Sequence, residues 1–175
     1  MSRLQATAIA HSNIAFVKYW GNRDAQLRLP YNDSLSMNLS AASTTTTVSF
    51  SEDLSTDRLT IDGEKHIGPA LERVSRQLDL IRLRAGIRLK AAVQSRNSFP
   101  MGTGIASSAS GFAALTMAAA QAAGLRLTEA ELSALARRGS GSASRSIPGG
   151  YVLWHAGSGD RDSFAETVFP AEHWD

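Results

Sequence analysis

Asn97-Ser-Phe-Pro-Met-Gly-Thr-Gly-Ile-Ala-Ser-Ser-Ala-Ser-Gly111 is the stretch on which the reading of this chain turns. An alternating apolar run (Ile87, Leu89, Ala91, Val93) leads into it, and an alanine-rich segment reaching Ala123 leads out. A period of two followed by a long run of small residues spells strand, loop, helix. Gly102 and Gly104 let the backbone pass close to a ligand. Ser107 and Ser108 fall at the helix start, where unpaired N–H groups and the helix dipole favour an anion, phosphate above all. Two common phosphate motifs are missing. No lysine follows Gly104 as a Walker loop requires, and Ser107 stands where the dinucleotide fingerprint has its third glycine. Taken by itself the loop is equally a glycine-rich turn capped by serine.

The composition narrows the classes. A chain of 175 residues makes one domain, or one domain with an extension, and can bury a core. Its 43% hydrophobic and 19% charged residues are ordinary for a soluble globular protein. The net charge of +2 argues against nucleic acid as a partner. Arg73, Arg76, Arg82, Arg84, Arg88, Lys90 and Arg96 crowd one stretch, which reads as a solvated helix and strand face. With no cysteine there are no disulfides or thiolate metal sites. His11, His66, His155 and His173 show no ligand spacing, so no structural metal is expected. No apolar run approaches a membrane span and the N-terminus has no signal pattern, so a cytoplasmic protein without a membrane partner is expected.

In chain order, Leu4 to Ala10 reads as a strand that His11-Ser12-Asn13 interrupts before Ile14 to Val17 resumes it. Lys18-Tyr19-Trp20-Gly21-Asn22-Arg23 is either a surface loop with Trp20 in the core or an anion site built from cations and a phenol. Residues 29–34 carry turn chemistry. Leu35, Met37 and Leu39 alternate with polar residues, and Thr44 to Ser51 and Arg58 to Asp62 continue as strands of an antiparallel meander. Pro69 opens a helix with an apolar face at Leu71, Val74, Leu78, Ile81 and Ala85, and Gly86 ends it. Thr128-Glu-Ala-Glu131 is a capping box for a further helix with Leu132 and Leu135 inward, stopped or bent at Arg137-Arg138-Gly139. By composition the run 139–146 is a flexible serine–glycine linker. Arg145 and the strand Gly150 to Trp154 favour instead a loop of hydroxyls and a guanidinium suited to carboxylate or phosphate. Phe164 to Phe169 reads as a last strand.

Three segments, taken in order, resemble one family. They are Asn13-Ile-Ala with Lys18-Tyr-Trp-Gly21, Phe99-Pro with Gly104-Ile-Ala-Ser-Ser-Ala109, and Gly139-Ser-Gly-Ser-Ala-Ser-Arg145 with Gly149-Gly-Tyr-Val-Leu-Trp154. Together they look like the diphosphomevalonate decarboxylases, within the superfamily named for galactose, homoserine, mevalonate and phosphomevalonate kinases (GHMP kinases). The resemblance covers nearly the whole chain. It implies an α+β fold, a mixed or antiparallel sheet packed against helices, shared by the superfamily's N-terminal domain and a domain of a ribosomal protein. Residues 1–175 would be the N-terminal ATP- and substrate-binding domain, with the C-terminal domain absent from this chain.

The same resemblance implies a reaction. Family members use ATP and Mg²⁺ to phosphorylate the tertiary 3-hydroxyl of a 5-phosphorylated mevalonate. Loss of phosphate and CO₂ then gives isopentenyl diphosphate or isopentenyl phosphate, in isoprenoid biosynthesis by the mevalonate pathway. By position, Asn97, Gly102, Gly104, Ala106, Ser107 and Ser108 would hold ATP, with Ser108 nearest the transferred phosphoryl. Lys18 would lie near the reacting hydroxyl, Arg145 would clamp the substrate carboxylate, and Asn13 would orient the reacting groups. Ser140, Ser142, Tyr19 and Trp20 would serve the substrate, the serines and Tyr19 at its 5-phosphate end. Mg²⁺ would bridge ATP oxygens with few protein ligands.

Two departures matter. Asn22 stands where the family commonly has lysine near the 5-diphosphate, and Met101-Gly-Thr stands where Thr-Ala-Ala is usual. Both point to mevalonate 5-monophosphate as substrate. Family members also run to roughly twice this length, and their catalytic aspartate lies in the further half; Asp24, Asp33, Asp160 and Asp162 do not match it. The expected partners are therefore a small phosphate ester, a companion C-terminal fragment and a second copy in a homodimer. The alternatives are a non-catalytic phosphate- or nucleotide-binding module, a related mevalonate-phosphate kinase, and RNA binding.

Overall fold

The computed structural model describes residues 4–99 and 107–174. The chain begins with β1 (Leu4–Val17), the small hairpin of β2 (Asn22–Asp24) and β3 (Leu29–Pro30), and the long β4 (Ser34–Ser51). There follow β5 (Arg58–Ile61), β6 (Glu64–His66), α1 (Pro69–Ala85), β7 (Lys90–Asn97), α2 (Ser107–Ala122) and α3 (Glu129–Gly139). A short 3-10 helix (Gly141–Ser146), β8 (Tyr151–Trp154) and β9 (Ala165–Phe169) complete the unit.

Strand β4 organises the sheet. β1 runs antiparallel along one edge of it, while β7 and then β8 share the other. The order is β6-β5-β7-β4-β8-β9, and β5 pairs with β7 in parallel. The helices pack on one face. Val74, Leu78 and Ile81 of α1 and the alanines of α2 meet Val48, Phe50, Leu59, Ala91 and Val93 of the sheet. Alanines at 109, 113, 118 and 119 are fully buried, and their small side chains let α2 lie directly over β1 and β4. This is the mixed-sheet α+β arrangement expected.

Local sequence explains most ends. Gly86 caps α1 in the left-handed conformation (φ 67°), the usual glycine stop. Thr128 and Glu131 form both bonds of the capping box at the start of α3. Asp62 and Gly63, both at positive φ, turn β5 into β6.

Four expectations need correction. His11-Ser12-Asn13 does not break the first strand; the register merely shifts between His11 and Asn13, and Ser12 and Asn13 are turned inward. Residues 35–40 and 44–51 are one 18-residue strand, and the meander fails because β5 joins β7 rather than β4. The serines of β4 face inward: Ser34 and Ser36 are buried while Leu35 and Met37 are only partly so. Finally, the basic stretch is not uniformly solvated. Arg82 is buried and ion-paired with Asp57, which also accepts from the Ala91 N–H at 2.9 Å. Arg137, buried too, pairs with Asp160 and donates to the Ser163 carbonyl at 2.8 Å.

Candidate functional site

The inward bulge in β1 brings Asn13 against the 3-10 helix. Asn13 Nδ2 donates to the Ser142 carbonyl (3.0 Å) and Ser146 Oγ (2.8 Å), and Asn13 Oδ1 accepts from Arg145 Nε (3.3 Å). Arg145 Nη1 donates to Ser34 Oγ at 2.9 Å, which is why that face of β4 carries serine rather than leucine. The guanidinium lies 5.8 Å from the Tyr19 ring and 5.5 Å from that of Trp154. Tyr19 and Trp154 meet edge to face at 5.0 Å. Gly141 permits this closeness, since a Cβ there would sit 3.2 Å from the Tyr19 hydroxyl. The 139–146 run is thus a packed, largely buried turn and not a linker.

Arg145 is only 4% exposed and, among the described residues, has no carboxylate partner. Burial lowers its pKa to about 10, so it remains cationic at neutral pH. A buried cation without a counter-ion is costly unless an anion arrives. Ser140 and Ser142 are beside it, with their hydroxyls 3.5 Å apart.

Ser107, Ser108, Asn97, Arg73, Leu59 and Phe112 line a cavity. Its apolar wall suits a planar base and its hydroxyls suit phosphate oxygens. Hydrogen bonds run from Ser12, the neighbour of Asn13, to this cavity: Ser12 Oγ to Ser110 Oγ (3.1 Å), Ser110 to Thr44 Oγ1 (2.7 Å), and Thr44 to Asn97 Oδ1 (2.8 Å). Asp62 fixes Asn97 in turn through its N–H (2.9 Å) and Nδ2 (3.0 Å).

Asn13, Tyr19, Ser140, Ser142 and Arg145 therefore gather in one cluster, while Asn97, Ser107 and Ser108 line the cavity. Lys18 is exposed and its Nζ donates to the Ala15 carbonyl, at 2.8 Å. Trp20 is 77% exposed, which removes the reading that puts it in the core; Tyr19 packs inward instead. Gly102, Gly104 and Ala106 lie outside the described residues. Ser34, Ser12, Thr44 and Ser110 were missed. The one available signal was the serine-on-alternate-positions pattern at 34 and 36, which marks a polar interior face.

Each aspartate set aside in the sequence is committed to local structure. Asp24 accepts from the Leu27 N–H, Asp33 from the Ala156 N–H, and Asp160 pairs with Arg137 and Arg138. Asp162 accepts from Ser158 and Gly159, which hold its carboxyl well below the usual range. Among the described residues no three acids or histidines cluster as a metal site, and no helix is long and apolar enough to cross a membrane.

Comparison with known proteins agrees with this geometry. The phosphomevalonate decarboxylase of Haloferax volcanii is 42% identical over 165 residues, covering 94% of this chain and 51% of the relative. Human diphosphomevalonate decarboxylase is 40% identical over 185 residues, covering 96% and 46%. Mevalonate diphosphate decarboxylase from Enterococcus faecalis superposes with a TM-score of 0.93 at 45% identity, over 99% of this chain and 54% of that one. A structure of MDDEF in complex with MVAPP, AMPPCP and magnesium superposes equally well, at the same identity. The chain spans about half the length of the curated relatives it matches. A match to the diphosphomevalonate decarboxylase-like N-terminal domain covers residues 10–165, and with that match the chain belongs to this family, on a GHMP-kinase-type fold.

Proposed function

We propose that this chain supplies the N-terminal half of an ATP-dependent decarboxylase acting on a 5-phosphorylated mevalonate. The observation that carries the reading is Arg145, a buried cation lacking a carboxylate partner among the described residues and bonded to Asn13, whose neighbour Ser12 bonds Ser110 of the helix that opens at Ser107 and Ser108. Arg145 holds the substrate carboxylate, and Asn13, bonded to Arg145, fixes the angle of that clamp. Ser140, Ser142 and Tyr19 take the 5-phosphate end. Ser107, Ser108 and Asn97 hold the nucleotide, with Ser108 nearest the phosphoryl that moves. Lys18, free to swing from the Ala15 carbonyl, neutralises charge on the 3-oxygen. Mg²⁺ arrives bound to nucleotide oxygens and supplies charge neutralisation there; the serine hydroxyls are the fitting protein groups.

The chemistry follows from the substrate. The 3-hydroxyl gives up its proton to the aspartate expected from the further half of the family's length and attacks the γ-phosphoryl of ATP, displacing ADP. The phosphorylated oxygen then leaves C3 as phosphate. Positive charge builds at C3, and the electrons of the bond to the carboxylate carbon fill it, forming the double bond and releasing CO₂. Arg145 keeps that carboxylate aligned while a largely buried surround excludes water. MVAPP, AMPPCP and magnesium bound by the superposable MDDEF support this use of the pockets.

The expected catalytic aspartate belongs to the further half of the family's length, and that half, on the same polypeptide or on a companion, completes the site. Ile9, Ile14, Phe16 and Val17 of β1 are exposed apolar side chains that favour such a contact, or a homodimer. The alternative reading, without that further half, is a phosphate- and nucleotide-binding module. Given that half, the neutral Asn22 selects the 5-monophosphate. Mevalonate 5-phosphate is expected to show a kcat/KM at least about tenfold above the diphosphate, from the loss of one charge-assisted contact. A strong diphosphate preference overturns the monophosphate assignment and leaves the decarboxylase reading intact.

A further inference from the structure

Beside the Ser107–Ser108 cavity and away from the Arg145 cluster, a cavity of about 400 Å³ opens between α1, α3 and the β2–β3 hairpin. Arg28, Arg73, Arg76 and Arg138 converge on it, against a single acid, Asp79. Asp79 is already engaged by Arg82 at 2.7 Å. Arg138 has only a long contact, 3.5 Å, to Asp160, and among the described residues Arg28, Arg73 and Arg76 have no ion pair. The arginines are held at carbonyls instead. Arg28 Nε donates to the Arg138 carbonyl at 3.0 Å, and Arg73 reaches the Gly139 carbonyl at 3.5 Å. Arg28 adopts a left-handed backbone (φ 53°), uncommon for a non-glycine residue. Burial first, and then the neighbouring charges of Arg28 and Arg76, push the Arg73 pKa down. Gln77, 2% exposed, also lines the cavity, and its Oε1 has no hydrogen-bond partner.

We infer that this cleft binds an oligophosphate anion, a diphosphate or triphosphate group, at a site separate from the Arg145 cluster. Four guanidinium forks from three elements match several phosphate oxygens at once, and one concave chamber gathers them. A monoanion would leave most of the repulsion standing. The unpartnered Gln77 oxygen adds an acceptor for a hydroxyl or a protonated phosphate oxygen. Arg73 is common to this cleft and to the nucleotide cavity, where it stacks 4.9 Å over Phe112, so occupancy of the cleft bears on nucleotide binding.

Calorimetric titration of this chain with inorganic pyrophosphate and with methyl diphosphate tests the site without reference to any catalytic activity. Equal binding of both marks a site for the diphosphate group from either source, and binding of pyrophosphate alone restricts it to the inorganic ion. The double substitution Arg28→Gln and Arg76→Gln is expected to weaken binding at least tenfold. Arg145→Met should change it less than twofold. Asp79→Asn removes the one acid and is expected to tighten binding two- to fivefold, a gain no unfolded variant would give. Binding lost on Arg145→Met alone, or untouched by the double substitution, overturns the inference. So does failure of pyrophosphate to bind when the same double substitution abolishes capture of the companion polypeptide, which would assign the arginines to an acidic protein surface.

Discussion

Replacing Arg145 by Met is expected to separate binding from folding. Affinity for a 5-phosphorylated mevalonate should fall by roughly 100-fold or more, about 3 kcal/mol, the cost of deleting one side of a buried charge pair. Stability should stay within about 1 kcal/mol of the parent. The reason is that the guanidinium is desolvated, as its lowered pKa of about 10 shows, and is not offset by a carboxylate. Its loss removes that penalty while orphaning Ser34 Oγ and Asn13 Oδ1, and the two effects oppose each other. Titration calorimetry of the substrate and chemical denaturation of the same samples read both quantities. A variant that unfolds readily yet binds normally when folded would make Arg145 structural.

Asp57→Ala should behave in the opposite way. Asp57 and Arg82 are both buried, and removing the acid leaves a buried cation with only the exposed Asp79 beside it. The expected loss of stability is about 3–5 kcal/mol, with no direct effect on either ligand pocket. pH carries a related signal. Burial raises the Asp57 pKa, but bonds from Arg82 and the Ala91 N–H outweigh it, and the net shift is downward. A depressed carboxylate pKa gives stability that is complete above the unfolded value near 4 and drains away as pH falls through the folded value. Asp57→Asn should therefore lose stability at neutral pH and show a flatter acid limb below pH 4 in urea-denaturation profiles. Parallel acid limbs in parent and variant would contradict this account.

What the sequence disclosed depended on how local the cause was. The strand ending at Asn97, the helix from Ser107, the Thr128–Glu131 capping box and the Gly86 stop are all settled within a few residues, and all were legible. The single long β4 was not, because Ser40 to Ser43 looks like a break until β1 pairs across it at Ser43 and beyond. The inward serines at 34 and 36 ran against the hydrophobic pattern because the interior there belongs to Arg145, more than a hundred residues away. Arg82 misled for a similar reason: the acid that pairs with it, Asp57, is 25 residues distant. Among the site residues, the family motifs named Asn13, Tyr19, Ser140, Ser142 and Arg145, which lie against one another in the structure. They could not show the Ser12–Ser110–Thr44–Asn97 path that runs from the neighbour of Asn13 to the cavity, since each of its members is an ordinary hydroxyl or amide in sequence.

The most direct test of the central claim is the stoichiometry of turnover by this chain together with the polypeptide that completes the family's length. Supplied with ATP, Mg²⁺ and mevalonate 5-phosphate or 5-diphosphate, the assembly is predicted to release CO₂, ADP and phosphate in a ratio of one to one to one. ADP formed without CO₂ would make the protein a kinase, and saturable nucleotide binding with neither product would leave it a binding module; either result contradicts the decarboxylase assignment.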